Sequence, residues 1–237
     1  DGEGCLMIYL YWEGDNRHWY YDLCLETVKR HNPSAVVLGP QDVADIVGPM
    51  PQAIQNAYIA HRVDWIRKVA LHALGGMWRD MDFICFQPLE EIARLRVCFD
   101  YVGYKEWGGS WMDNFFVARK GSPILRAAAE YASSQLTAHG GSVNWVATSS
   151  WAEKHAIERV HPWGYWMQIP THLVEPVDVN APWWLFEPPE GDEIERTNSF
   201  GFMTSFHAMH KLLPHSREEL VASNTRLARI LHRALKL

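Results

Sequence analysis

His61-Arg62-Val63-Asp64-Trp65-Ile66-Arg67-Lys68-Val69-Ala70-Leu71-His72-Ala73-Leu74-Gly75-Gly76-Met77-Trp78-Arg79-Asp80-Met81-Asp82-Phe83-Ile84-Cys85-Phe86 changes character twice. Val63, Ile66, Val69, Ala70, Ala73 and Leu74 recur in steps of three and four, which predicts a helix over 61–74 with one buried face. Gly75-Gly76 ends it, because glycine takes the positive φ that closes a helix. Asp80 and Asp82 then stand beside a short apolar strand, Phe83 to Phe86, with a break at Pro88. Residues i and i+2 of a strand point to one side, so the two carboxylates can share a cation; at a strand end they leave coordination positions open for a ligand. An isolated D-x-D is more often a pair of turn or surface aspartates, so its surroundings decide.

Upstream, Leu6 to Trp12 is an apolar, aromatic run closed by Glu13-Gly14-Asp15, predicting a buried first strand. A helix over Asn16 to His31, ended by Pro33, leads to a second brief strand, Ala35 to Leu38, and then Gly39-Pro40. Strand, helix, strand predicts a parallel sheet, because parallel neighbours need a crossover long enough to hold a helix. Downstream, Val97 to Tyr104 and Asn114 to Ala118 read as strands around a Gly108-Gly109 loop. Ser122 as N-cap and Pro123 at the first helical position open a helix to about Leu136. His161 to Pro189, rich in proline and tryptophan, reads as irregular chain forming a wall of a binding site. Ser216 to Leu237 reads as one terminal helix.

With 237 residues, 48% hydrophobic and 21% charged, the chain buries a sizeable core. A net charge of −6 offers no general attraction for nucleic acid, so no nucleic-acid partner is expected. The segment 216–237 runs against that balance, with five basic residues to two acidic ones. It predicts a solvated face of a packed helix, or else weak peripheral contact with an anionic membrane surface. No apolar run approaches the roughly 18 to 20 residues of a membrane span. Asp1-Gly2-Glu3-Gly4 has no character of a secretory leader, so a cytoplasmic location is expected. Cys5, Cys24, Cys85 and Cys98 form no C-x-x-C pair and read as reduced core thiols. Twelve Trp, nine Tyr and nine Phe make an aromatic core, or supply ring faces on which sugars and nucleobases stack.

The succession of Asp64-x-x-Arg67, the apolar helical stripe, Gly75-Gly76, Trp78 and Asp80-x-Asp82 resembles a known group. It is similar to the retaining D-x-D glycosyltransferases: glycosyltransferase family 32, the capsular polysaccharide synthesis proteins and the glucosylating domains of large clostridial toxins. The resemblance extends, with less specific matches, to Tyr11-Trp12-Glu13-Gly14, to Asn114-Phe115-Phe116-Val117-Ala118 and to Ser205-Phe206-His207. Trp78-Arg79 departs from the aromatic-Leu pair common before the first Asp, and a terminal Ser-Trp found in some relatives is missing.

The resemblance implies a GT-A fold: an α/β, Rossmann-like sandwich with a mostly parallel sheet, binding nucleotide at the C-terminal ends of its strands. It implies one catalytic domain, with residues 1–120 holding the nucleotide sugar, 121–215 on the acceptor side and 216–237 as the basic helix. Trp12 would stack on the base, Asp64 and Arg67 would bind the donor sugar beside Gly76, Asp80 would hold ribose or sugar, and Asp82 would hold Mn2+ or Mg2+. Asn114 and neighbouring Asp113 would face the reacting sugar, and His207, with His210 one turn away, would be a further metal ligand. The donor expected is a UDP-sugar and the acceptor a glycan or other hydroxyl. The plain alternative for Asp64 and Arg67 is a surface i, i+3 ion pair. Two rival functions stand beside this one. A non-catalytic sugar-binding module would use the tryptophans and a divalent ion merely to hold sugar. A D-x-D phosphatase would use the first Asp as nucleophile, but wants its pair directly after an apolar strand, whereas here glycines are expected before it.

Overall fold

The computed structural model describes residues 7–160, 165–178, 182–191 and 198–236. Cys5, Leu6, Leu237 and parts of the 161–189 segment (161–164 and 179–181) lie outside the described residues. The chain begins β1 (Ile8–Tyr11), α1 (Trp19–His31), β2 (Val36–Leu38), α2 (Pro40–Val47), α3 (Gln52–Gln55) and α4 (Ile59–Leu74). It continues β3 (Gly76–Arg79), β4 (Phe83–Cys85), α5 (Glu90–Ala93), β5 (Tyr101–Lys105), β6 (Trp111–Ala118), α6 (Pro123–Ala138) and α7 (Ser150–Val160). The last elements are β7 (Trp166–Gln168), β8 (Gly201–Met203), α8 (Phe206–Met209), α9 (Arg217–Ala222) and α10 (Arg226–Leu235). These pack as two compact units that the chain visits alternately. The first holds residues 1–13, 36–79 and 90–169; the second holds 14–35, 80–89 and 170–237.

The first unit is built on a six-stranded sheet in the order β2-β1-β3-β6-β5-β7. β1 runs parallel to β2 and β3, β7 runs parallel to β5, and β6 is antiparallel to both neighbours. The expected α/β class with a mostly parallel sheet is thus present. One face is covered by apolar side chains of α2, α4, α6 and α7: Trp65, Ile66 and Leu71 of α4 pack with Ile124, Leu125 and Ala128 of α6 over Trp78, Tyr101 and Phe116. Gly75 stops α4 at φ 67°, its N–H bonded to the Leu71 carbonyl at 2.8 Å, as its sequence position predicts.

Gly76, by contrast, is no loop residue. It opens β3, a buried strand that the glycine pair conceals, and its φ of 116° with the Met7 carbonyl 2.7 Å from where a Cβ would stand makes glycine obligatory. The segment expected to be irregular supplies β7, and Trp166 stacks edge-on against Trp111 at 5.5 Å.

The second unit pairs β4 with β8 in an antiparallel ribbon and closes an apolar core around α1, α9 and α10. The expected terminal helix is two helices. Ser223 turns its hydroxyl back to the Leu220 carbonyl at 2.7 Å, and Thr225 caps α10 by accepting from the Ala228 N–H at 3.2 Å. Leu227, Ile230, Leu231 and Ala234 are inside this core, so α10 offers no apolar face to a membrane. Its arginines are also used internally: Arg226 binds Glu187 at 2.9 Å, Arg229 the Gly191 carbonyl at 2.8 Å, and Arg233 lies over Phe86. No helix among the described residues is long and apolar enough to cross a membrane. Cys24 and Cys85 are buried and outside any disulfide, whereas Cys98 is exposed rather than a core thiol.

Candidate functional site

In the first unit the sequence-selected residues converge inward. Positions 61, 64, 67 and 68 of α4 fall on one side of the helix, since three- and four-residue steps return to the same face. Opposite them β6 is irregular: Gly103 alone separates the β5 residues Val102 and Tyr104, while Asp113 to Phe116 separate their partners Val117 and Met112. A bulge of this kind re-aims side chains. Asp113 meets Arg67 Nη1 at 3.0 Å and Lys68 Nζ at 2.5 Å, and its carbonyl also accepts from Arg67 Nη1 at 2.8 Å. Asn114, on the same bulge, is half-buried and accepts from the Tyr104 hydroxyl at 2.9 Å.

Asp64 and Arg67 do form the i, i+3 pair, at 3.2 Å, but it is buried, with 7% and 5% exposure, and not a surface pair. The other Asp64 oxygen accepts from the Thr148 hydroxyl at 2.7 Å, and Thr148 in turn meets His61 Nδ1 at 2.8 Å. Burial, reinforced by the Asp113 charge and opposed by Arg67 and Lys68, pushes the Asp64 carboxyl up to about 7. Two members of this cluster escape sequence reasoning. Lys68 and Glu153 are both wholly buried, 3.3 Å apart. Lys68 stands four residues after Asp64 on a helix with a buried face, and that spacing was the available signal. Nothing in the sequence brings Glu153 to it.

Trp12 is the first residue beyond β1, half-buried, its N–H bonded to the Leu38 carbonyl at 3.0 Å. Asp80 is likewise the first residue beyond β3, the parallel neighbour of β1. A strand therefore does end directly before the carboxylate pair, which removes the strand-order objection to a phosphatase. The apolar strand β4 follows directly after the pair.

In the second unit Asp82 is tied to the segment between β8 and α8. Its carbonyl accepts from the Thr204 N–H at 3.1 Å and from the Thr204 hydroxyl, and its Oδ2 accepts from the Phe206 N–H at 3.0 Å. The Thr204 hydroxyl also meets the Tyr20 hydroxyl at 2.9 Å. His207 follows directly, exposed on a one-turn helix, 6.2 Å ring to ring from His210. Asp80 and Asp82 are half-buried. Burial, then the charges of Asp82 and Asp80, raise the neighbouring Tyr21 phenol above its ordinary range. Burial, with the His210 charge adding to it, lowers His18.

No family model and no curated protein matches the sequence. Among solved structures the chain is similar to one described as PaToxG Glycosyltransferase, at 12% identity and a TM-score of 0.47, covering 66% of this chain and 69% of that one.

Proposed function

We propose that the chain is a metal-dependent glycosyltransferase of GT-A type, moving a sugar from a nucleoside diphosphate, by default UDP, to a hydroxyl of a glycan with retention of configuration. One observation carries this reading. The chain passes from β1 to β2 on one side and returns to β3 on the other, and Trp12 and Asp80 are the residues that leave the carboxyl ends of β1 and β3. Open parallel sheets bind ligands where the strand order reverses in this way.

The donor atoms suit Mn2+ or Mg2+. Asp80 and Asp82 would offer hard carboxylate oxygens and His207 an imidazole, and the Phe206 amide joins the turn before His207 to Asp82. Among the described residues no three or more His, Cys, Asp or Glu side chains are placed together so as to hold a metal ion. The cation proposed is one held by one or two carboxylates together with substrate phosphates. Such a cation would neutralise charge developing on the departing diphosphate as a Lewis acid. For the residues themselves, Trp12 would stack on the base, Asp80 would hold ribose or sugar, and Asp64, Arg67, Gly76, Asp113 and Asn114 would orient the sugar. Attack on the leaving-group face lets the departing phosphate oxygen take the acceptor proton, so no side-chain base is assigned.

Incubation with UDP-, GDP- and CMP-sugars, with and without manganese, tests the reading through release of free nucleotide. Release from one donor only with metal is expected; no release from any would contradict it. The position of Asp80 directly after β3 favours one second reading, a phosphatase with Asp80 as nucleophile. Release of inorganic phosphate from phosphomonoesters in the same assay would select it.

A further inference from the structure

Asp64, Asp113 and Glu153 meet Arg67 and Lys68 inside the first unit, none of them more than 7% exposed. Three acids against two bases would leave one negative charge without a counter-charge where water does not reach. The penalty for that is several kcal/mol, and a group so placed keeps its proton.

Hydrogen bonding identifies the group. Asp113 has a cation on each oxygen, at 3.0 and 2.5 Å. Asp64 has Arg67 on one oxygen and the Thr148 hydroxyl on the other. Glu153 has only Lys68 Nζ, 3.3 Å from Oε1 and out of hydrogen-bonding geometry, and neither of its oxygens has a hydrogen-bond partner. Lys68 is meanwhile committed to Asp113 and to the Asp64 carbonyl at 3.0 Å.

We propose that Glu153 is held as the neutral acid and acts with Lys68 as a positioning pair: uncharged, it leaves the ammonium to Asp113, and Asp113 holds the Arg67 guanidinium in place. The charged and titratable groups around Glu153 are Asp64, Arg67 and Lys68 from α4, Asp113 from β6 and Tyr101 from β5. The fully buried Tyr101 hydroxyl has no hydrogen-bond partner, and burial, then the charges of Glu153 and Asp113, raise it. Burial, opposed by Lys68 and reinforced by Asp113, pushes Glu153 up to about 8. Lys68 is raised despite its burial, because Asp113, Glu153 and Asp64 outweigh that cost, so it stays an ammonium. A carboxyl raised in the fold binds more protons folded than unfolded. Its stabilisation is complete below the ordinary carboxylate range and is lost as pH rises to about 8.

The protonation state follows from the cluster alone; the positioning role rests on the reading of Arg67 as a donor-sugar ligand. Infrared spectroscopy of the wild type at neutral pH is expected to show a buried neutral carboxyl band that is missing from Glu153→Gln. E153Q is expected to fold, to have a Tm at pH 7 at or above that of the wild type, and to lose the part of the wild-type decline in Tm that falls between about pH 5 and 8. A missing band, or an E153Q protein that is unfolded or several degrees less stable at pH 7, would overturn the proposal. Nucleotide-sugar affinity that weakens above pH 8 in the wild type but not in E153Q would support the positioning role, and equal pH profiles would overturn it. A neutral carboxyl in a protein that binds no nucleotide sugar would sink the donor reading and leave the proton assigned.

Discussion

The Phe206 amide donates to Asp82 Oδ2 at 3.0 Å, across 124 residues of sequence. That bond fixes the second carboxylate of the D-x-D pair to the turn carrying His207, and Thr204 secures the Asp82 carbonyl beside it. The geometry makes Asp82 both a structural acceptor and the candidate ligand, and the two roles separate by experiment.

Asp82→Ala removes one charged acceptor of a backbone N–H, a loss of about 1.5–3 kcal/mol, which leaves the chain folded. Manganese-dependent nucleotide release should vanish. Circular dichroism checks the fold and the release assay the function; turnover retained in the variant removes Asp82 from the metal.

Lys68→Met leaves Asp113 with one cation and Glu153 with none in a dry cluster. Removing one partner of a buried ion pair costs about 3–5 kcal/mol. Urea unfolding should show that loss, and a change below 1 kcal/mol would mean that the ammonium does not neutralise the cluster.

Trp12→Ala should weaken nucleotide binding by the stacking of one base on one ring, about 1–3 kcal/mol. Titration calorimetry reads the change. Unaltered affinity would remove Trp12 from the base site.

Gly76→Ala forces an L side chain to a φ of 116° with its Cβ 2.7 Å from the Met7 carbonyl. A stability loss well above 1 kcal/mol is expected, with β1 and β3 forced apart. A Tm equal to the wild type would show that this close approach relaxes freely.

Legibility followed the physics of each segment. α4 and its stop were readable because a helical stripe and a positive-φ glycine are local signals. β3 was hidden because Gly75-Gly76 carries both the helix stop and the start of a strand, and four residues give no periodicity to count. β7 lies among prolines that mimic loop. The helix break at Ser223 depends on side-chain hydroxyls competing for backbone groups, which a pattern of leucines does not register. Within the site, the Asp64–Arg67 pair and, separately, Asp113 are legible in the sequence, and they prove to be one cluster. Its neutralising members went unnoticed: a lysine on a helix usually extends its charge to water, and the approach of Glu153 from α7 is purely tertiary.

The most direct measurement is a thermal-shift titration of the intact chain with UDP, GDP and CMP, each with and without manganese. A ligand at 100 times its Kd adds about 2.7 kcal/mol to the folded state, roughly 5–10 °C for a chain of this size. One nucleotide that stabilises only with the metal, and loses that effect in Asp82→Ala, is the predicted result. Equal melting temperatures in every well, or stabilisation that ignores both manganese and Asp82, would contradict it.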